Sequence, residues 1–137
     1  MWRYRRTGET IGVNNIADQR PMYEERAWGK YQVLDYRVQK EGPNFLTKHL
    51  IITPGKHISY QRHKHRTETW TFVDGTGKLI IDGVIKMVGR GDIAYIRPGM
   101  KHAIAAITEL HIIEVQIGDE LTEEDIERLD WDWENMG

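Results

Sequence analysis

Turn residues interrupt this 137-residue chain at short intervals, and this limits the architectures open to it. The turn signals are Glu41-Gly42-Pro43, Pro54-Gly55, Asp74-Gly75-Thr76-Gly77, Asp82-Gly83, Gly89-Arg90-Gly91 and Pro98-Gly99. Between and around them lie β-type runs at 31–36, 45–53, 58–63, 69–73, 78–81, 85–88, 93–96, 103–107 and 110–117. Many short strands with almost no helix between them are typical of a sandwich or barrel. We therefore predict an all-β antiparallel barrel over residues 25–118.

The two ends of the chain differ from this central region. Residues 1–24 mix turn formers with isolated apolar residues, so we expect an extended arm. In the acidic segment 119–137, Thr122-Glu123-Glu124-Asp125 resembles a capping box, and Ile126 and Leu129 follow at helical spacing. We predict a short C-terminal helix there, followed by a tail whose Trp131 and Trp133 dock on the barrel or on a partner.

Composition narrows the classes of function. A formal net charge of −2 gives no reason to expect a nucleic-acid partner or a membrane surface. The chain has no cysteine, so any metal site must use histidine and oxygen ligands. The start of the sequence contains no apolar run of the kind found in secretory signals, and we expect a cytoplasmic protein.

One run has polar residues where a strand would normally place apolar ones. A period of two puts His57, Ser59, Gln61, His63 and His65 on the same face of the run after Pro54-Gly55. Imidazole and amide groups that point into a narrow barrel need polar partners. A metal ion would provide them.

The spacing of this run resembles the first of the two cupin motifs. Its positions are Gly55, Gln61, His63, Glu68 and Gly75, with Gln61 at the place of that motif's first histidine. The later Gly91, Pro98-Gly99 and His102 resemble the second motif, with Arg97 at the place of its proline.

The cupin resemblance implies one divalent ion bound by Gln61, His63, Glu68 and His102. Replacement of Gln61 by His65 is the alternative ligand set. Such a mixed nitrogen and oxygen site is compatible with Zn, Mn, Fe, Co or Ni. The implied fold is a cupin, a double-stranded antiparallel β-helix of the jelly-roll type.

Longer stretches of the sequence resemble one cupin family in particular. They are 26–31 (RAWGKY), 61–70 (QRHKHRTETW) and 113–118 (IEVQIG), and they are similar to type II mannose-6-phosphate isomerases over about residues 25–129. That domain usually forms the C-terminal part of bifunctional enzymes with mannose-1-phosphate guanylyltransferase activity. Ala27 and Lys64 depart from the family's usual proline and histidine. The resemblance implies a metal-dependent aldose-ketose isomerase that acts on a phosphorylated hexose.

Isomerisation between C1 and C2 of an open-chain sugar requires an electrophile, a base and a cation for the phosphate. The metal would be the electrophile. For the catalytic base we favour His65, next to the ligands, and retain Glu114 as the second candidate. Lys48, Arg97 and Lys101 are the candidate phosphate-binding residues.

Two other functions are compatible with these residues. A non-catalytic sugar-binding cupin would have the same ligands but no base within reach of the sugar. A cupin oxygenase would more usually have three histidines and one glutamate, so Gln61 disfavours it. The expected partners are a small sugar or sugar phosphate and a second copy of the chain in a homodimer.

Overall fold

The computed structural model describes residues 22–131 and 133, and the strands of these residues form two antiparallel sheets. The strands are β1 (Tyr23–Arg26), β2 (Gly29–Arg37), β3 (Asn44–Ile52), β4 (Tyr60–Arg62), β5 (Arg66–Asp74), β6 (Thr76–Ile81), β7 (Val84–Gly89), β8 (Ile93–Ile96), β9 (His102–Ala106), β10 (Leu110–Gly118) and β11 (Glu127–Leu129). One sheet has the order β1-β2-β3-β10-β5-β8, and the other has the order β11-β4-β9-β6-β7. The predicted all-β cupin fold is confirmed. The structure does not describe residues 1–21 of the predicted arm.

Alternate residues along the long strands point into the space between the sheets. On β3, Leu46, Leu50 and Ile52 are buried, and on β10, Leu110 and Ile112 are buried opposite them. Large side chains of β5 complete this core, chiefly those of Trp70 and Phe72. In the described chain no helix is long and apolar enough to cross a membrane.

Two of the turns predicted from the sequence have the geometry that their residues require. Asp82 and Gly83 join β6 to β7 with φ angles of 47° and 82°, as in the two-residue type I′ turn favoured in hairpins. Gly75 has a φ of 95°, and a Cβ atom there would collide with the carbonyl oxygen of Glu109. Both positions therefore fix the register of the strands that they join.

The predicted C-terminal helix is wrong. Within the described residues 119–131 and 133 the chain makes tight turns and then pairs as β11 with β4. The Asp125 carboxylate, predicted to lie in the first helical turn, instead accepts hydrogen bonds from the backbone N–H groups of Lys64 (2.8 Å) and His65 (2.8 Å). These contacts with a distant loop replace the local bonds of a helix.

The tail packs on the outer face of the smaller sheet. Trp131 and Trp133 lie against a buried cluster made by Tyr60, Ile80 and Ala103. The Trp131 and Tyr60 rings are 5.0 Å apart, centroid to centroid. Docking of the tail on the barrel, one of the two predicted positions, is confirmed.

Candidate metal centre

Two histidines from different strands point the same ring nitrogen into the barrel. His63 follows β4, and its Nδ1 donates to the backbone carbonyl of Asp125 at 2.7 Å. His102 opens β9, and its Nδ1 donates to the backbone carbonyl of Met100 at 2.9 Å. Because a carbonyl oxygen can only accept, each Nδ1 carries the hydrogen, and each neutral ring has a lone pair on Nε2.

Glu68 on β5 lies between these two lone pairs. Its Oε2 is 3.3 Å from His63 Nε2, and its Oε1 is 3.7 Å from His102 Nε2. One ligand atom from each of the three residues lies within 4.8 Å of the other two. All three side chains are buried, so this group could hold a metal ion.

The two histidines are in the protonation state that a metal ligand requires. Burial, followed by the nearby charge of Arg66, lowers the pKa of His63 to about 4, and burial also lowers the pKa of His102. Both rings are therefore neutral near pH 7, which is the form that coordinates a metal. His102 Nε2 has no hydrogen-bond partner among the residues that the structure describes. Two neutral acceptors and a carboxylate that converge in a buried site are the donor set of a mixed-ligand divalent centre.

Among the described residues, the positively charged side chain in contact with His63 and Glu68 is that of Arg66. Its Nε donates to Glu68 Oε2 at 2.8 Å, and its terminal nitrogen lies 3.3 Å from His63 Nε2. The side chain is almost fully buried and also reaches the backbone carbonyl of Thr122 at 3.3 Å. The interaction with His63 confirms that the Nε2 lone pair is oriented toward a positive group.

The structure separates the two alternatives for the remaining ligand. Gln61 pairs with His102 in the sheet and lines the same cavity as His63 and Glu68. The side chain of His65 is 51% exposed and lies 3.8 Å from Glu120 on the surface. The predicted inward orientation of His65 is wrong, because β4 ends at Arg62 and the chain turns before His65.

A cavity of about 390 Å³ opens beside the histidines and Glu68. Polar side chains of three neighbouring strands line it, namely Lys48, Arg66, Glu68, Glu114 and Gln116. Trp70 Nε1 donates to both Glu68 Oε1 (3.0 Å) and Glu114 Oε2 (3.1 Å). Burial, and then the charge of Glu68, raises the pKa of Glu114 to about 7.

Of the three predicted phosphate-binding cations, the structure places one in the cavity. Lys48 is buried, with its Nζ 3.7 Å from Glu123 Oε2 and 4.2 Å from the centroid of the Tyr31 ring. Arg97 is exposed after β8, and the backbone N–H of Lys101 donates to Asp82. Neither is among the described residues that line the cavity.

Sequence reasoning gave no site role to several polar residues at this cavity. They include Arg26, Tyr31, Arg66, Gln116, Glu123 and Arg128. The alternation of side chains along a strand could have identified two of them. Arg66 lies on the same strand face as Glu68, and Gln116 lies on the same face as the buried Ile112.

The sequence matches one family model and is similar to several proteins much longer than this chain. The family model described as "Mannose-6-phosphate isomerase C-terminal" matches residues 14–131. A mannose-1-phosphate guanylyltransferase from Salmonella montevideo is 38% identical over 106 residues, which cover 76% of this chain and 21% of the relative. The alginate biosynthesis protein AlgA from Pseudomonas aeruginosa is 37% identical over 107 residues, covering 77% of this chain and 21% of the relative. The chain therefore spans about a fifth of the length of the curated relatives that it matches.

Comparison with solved structures identifies the same fold. An RmlC-like cupin from Shewanella frigidimarina superposes with a TM-score of 0.61 at 20% identity, covering 73% of this chain and 85% of that chain. A variant of the oxalate decarboxylase OxdC from Bacillus subtilis has a TM-score of 0.63 at 19% identity, covering 80% of this chain and 32% of that one. At these identities the likeness concerns the fold alone.

Proposed function

Because this chain belongs to the mannose-6-phosphate isomerase C-terminal family, we propose that it interconverts an aldose phosphate and a ketose phosphate with the help of a bound metal ion. Mannose 6-phosphate and fructose 6-phosphate are the pair suggested by the family's description. The observation that carries this proposal is the convergence of His63, Glu68 and His102 beside a cavity that also contains the buried carboxyl group of Glu114.

The residues that would hold the ion are Gln61, His63, Glu68 and His102. Their backbone-bonded imidazoles are fixed in the tautomer that presents Nε2, so little rearrangement of the rings is needed. A Zn, Mn, Fe, Co or Ni ion bound here would act as a Lewis acid that polarises the sugar's carbonyl and hydroxyl oxygens. The other steps depend on side chains of this chain.

Glu114 is the base that we propose. Conversion of an aldose into a ketose moves one proton from C2 to C1 and a second from the C2 hydroxyl oxygen to the C1 oxygen, and one base beside both carbons can carry out the first transfer. Trp70 fixes Oε2 of Glu114 and Gln116 contacts its Oε1 at 3.3 Å, which orients the carboxyl group within the cavity. His65 was the base favoured from the sequence, but its side chain lies on the surface.

Lys48 is the phosphate-binding residue that we propose. The Lys48 ammonium group is already buried, and its contact with the Glu123 carboxylate is as long as 3.7 Å, so it can gain a closer anion at little desolvation cost. Arg26 and Arg128 also line the cavity and would add positive charge at its mouth.

The test is a coupled assay of mannose 6-phosphate conversion by metal-loaded wild type, Glu114→Gln and His65→Gln. Loss of a general base lowers kcat by roughly 10²–10⁴-fold, so Glu114→Gln should be nearly inactive while His65→Gln stays close to wild type. If Glu114→Gln turns over normally, Glu114 is not the base. If metal-loaded wild type binds hexose phosphate without converting it, the protein is a sugar-binding cupin instead.

A further inference from the structure

Gln116 has a hydrogen-bonding capacity that the described residues do not use. The residue lies on β10 with only 1% of its surface exposed, and it lines the cavity beside Glu114. Its Nε2 donates to Glu114 Oε1 at 3.3 Å. Its Oε1 has no hydrogen-bond donor within the described part of the chain. A buried acceptor without a donor costs about 1–3 kcal/mol, which points to a ligand that donates to it.

The orientation of this amide is set by its neighbour. In its ionised form, which a general base requires, Glu114 only accepts hydrogen bonds, so the amide directs its N–H group, not its oxygen, at the carboxylate. The carbonyl oxygen therefore faces away from Glu114. A ligand group that meets it must be a donor, and the cations Lys48 and Arg66 in the same cavity disfavour an ammonium group there.

Lys48 provides the second point of attachment. In the sheet, Lys48 on β3 is paired with Glu114 on β10, and Gln116 is two residues further along the same face. Such diagonal neighbours are about 7–8 Å apart. A carbon chain that carries several hydroxyl groups and ends in an anion can reach both an acceptor and a cation that project from such neighbouring positions.

We infer that Gln116 Oε1 binds a hydroxyl group of an open-chain polyol phosphate whose anionic end is held by Lys48. The inference rests on the proposed function for the class of substrate, and it adds a residue that distinguishes a hydroxylated chain from a simple anion. Gln116 is in this respect a specificity residue, since its contact is made with substrate atoms that do not react.

Binding of a non-reacting compound tests this inference independently of catalysis. Mannitol 6-phosphate has no carbonyl group, so calorimetry on metal-loaded protein reports binding alone. The variants are Gln116→Met and Lys48→Met, with Leu46→Met as a matched control, because Leu46 is buried opposite Gln116 in the sheet. Inorganic phosphate is the second probe.

Gln116→Met should weaken mannitol 6-phosphate binding about tenfold and leave phosphate binding unchanged, while Lys48→Met should weaken both. Leu46→Met should resemble wild type. The inference is overturned if Gln116→Met binds the hexitol phosphate like wild type, if wild type does not bind it, or if Gln116→Met loses its metal in equilibrium dialysis. Absence of turnover by wild type would refute the isomerase proposal while leaving these binding differences standing.

Discussion

The Nδ1 atom of His63 donates a 2.7 Å hydrogen bond to the backbone carbonyl of Asp125, which lies 62 residues later in the chain. The carboxylate of Asp125 accepts from the two backbone N–H groups that follow His63. Strand β11 then pairs with β4, and Glu127 binds Arg62 at 2.8 Å. The acidic C-terminal segment therefore supports β4, which carries Gln61, and the loop after it, which carries His63.

Removal of the Asp125 side chain should weaken metal binding. In Asp125→Ala, two N–H groups lose their acceptor, and the loop that holds His63 becomes less fixed. Loss of such supporting contacts typically lowers metal affinity about 10–100-fold, which competition with a chromophoric chelator can measure. The matched control is Glu124→Ala, an exposed acidic residue of the same turn. Equal affinities in Asp125→Ala and wild type would show that the segment does not support the site.

The tryptophan cluster should contribute to global stability. Trp131 packs on the buried Tyr60, so Trp131→Ala exposes part of the outer face of the smaller sheet. We expect the free energy of unfolding to fall by about 2 kcal/mol in urea titrations, with Trp131→Phe retaining most of it. Unchanged stability in Trp131→Ala would mean that the tail contributes little to the fold.

The paired histidines on the outer face of the larger sheet should make stability depend on pH. His49 Nε2 lies 3.0 Å from His111 Nδ1, and His111 Nε2 lies 2.9 Å from Glu109 Oε2. Asp74 pairs with His111 across the sheet. Burial, and then the charge of His111, lowers the pKa of His49 below its ordinary value of 6.5.

The unfolded chain therefore binds a proton at residue 49 more readily than the folded chain does. Stability from neutral His49 is complete above about pH 6.5 and is lost as the pH falls through that value toward the lower folded pKa. His49→Gln should consequently lose less stability than wild type between pH 7.5 and 5.5 in parallel urea titrations. His63 and His102 are present in both proteins, so they contribute equally to both pH profiles. Identical dependence of stability on pH in wild type and His49→Gln would therefore contradict the prediction.

A homodimer remains a prediction, and the outer face of the larger sheet is the surface that we expect it to use. Apart from Asp74, which ends β5 opposite His111, the outward-facing residues of β3, β5 and β10 carry no lysine, arginine, aspartate or glutamate; they are Phe45, Thr47, His49, Ile51, Thr67, Thr69, Thr71, Val73, His111, Ile113, Val115 and Ile117. Because the centre of this face carries no charge, the same face of a second copy can pack on it about a two-fold axis.

Val115→Lys, at the centre of this face, should shift the protein from dimer to monomer in light-scattering measurements. The control is Val84→Lys on β7 of the other sheet, where the side chain is 68% exposed. A wild-type monomer, or a dimer that persists in Val115→Lys, would contradict the expected interface.

Strand positions and the grouping of His63 with Glu68 could be predicted from the sequence because they depend on short-range patterns. Turn residues such as Asp82-Gly83 fix where strands end, and two-residue spacing fixes that Gln61 and His63 share a face. The two-residue spacing rule failed at His65 because the chain has already left the strand there. The helix prediction failed because Asp125 bonds to a loop 60 residues away. Arg97 and Lys101 are near His102 in sequence, yet the β8–β9 connection directs them away from the cavity.

The measurement that tests the metal centre most directly is the number of divalent ions bound per chain, determined by equilibrium dialysis and elemental analysis. Wild type and His57→Gln, a residue at the cavity outside the ligand set, should bind about one ion. Glu68→Gln and His63→Ala should bind close to none while remaining folded by circular dichroism. Wild type without a bound ion, or Glu68→Gln and His63→Ala with full occupancy, would contradict a metal centre built on His63, Glu68 and His102.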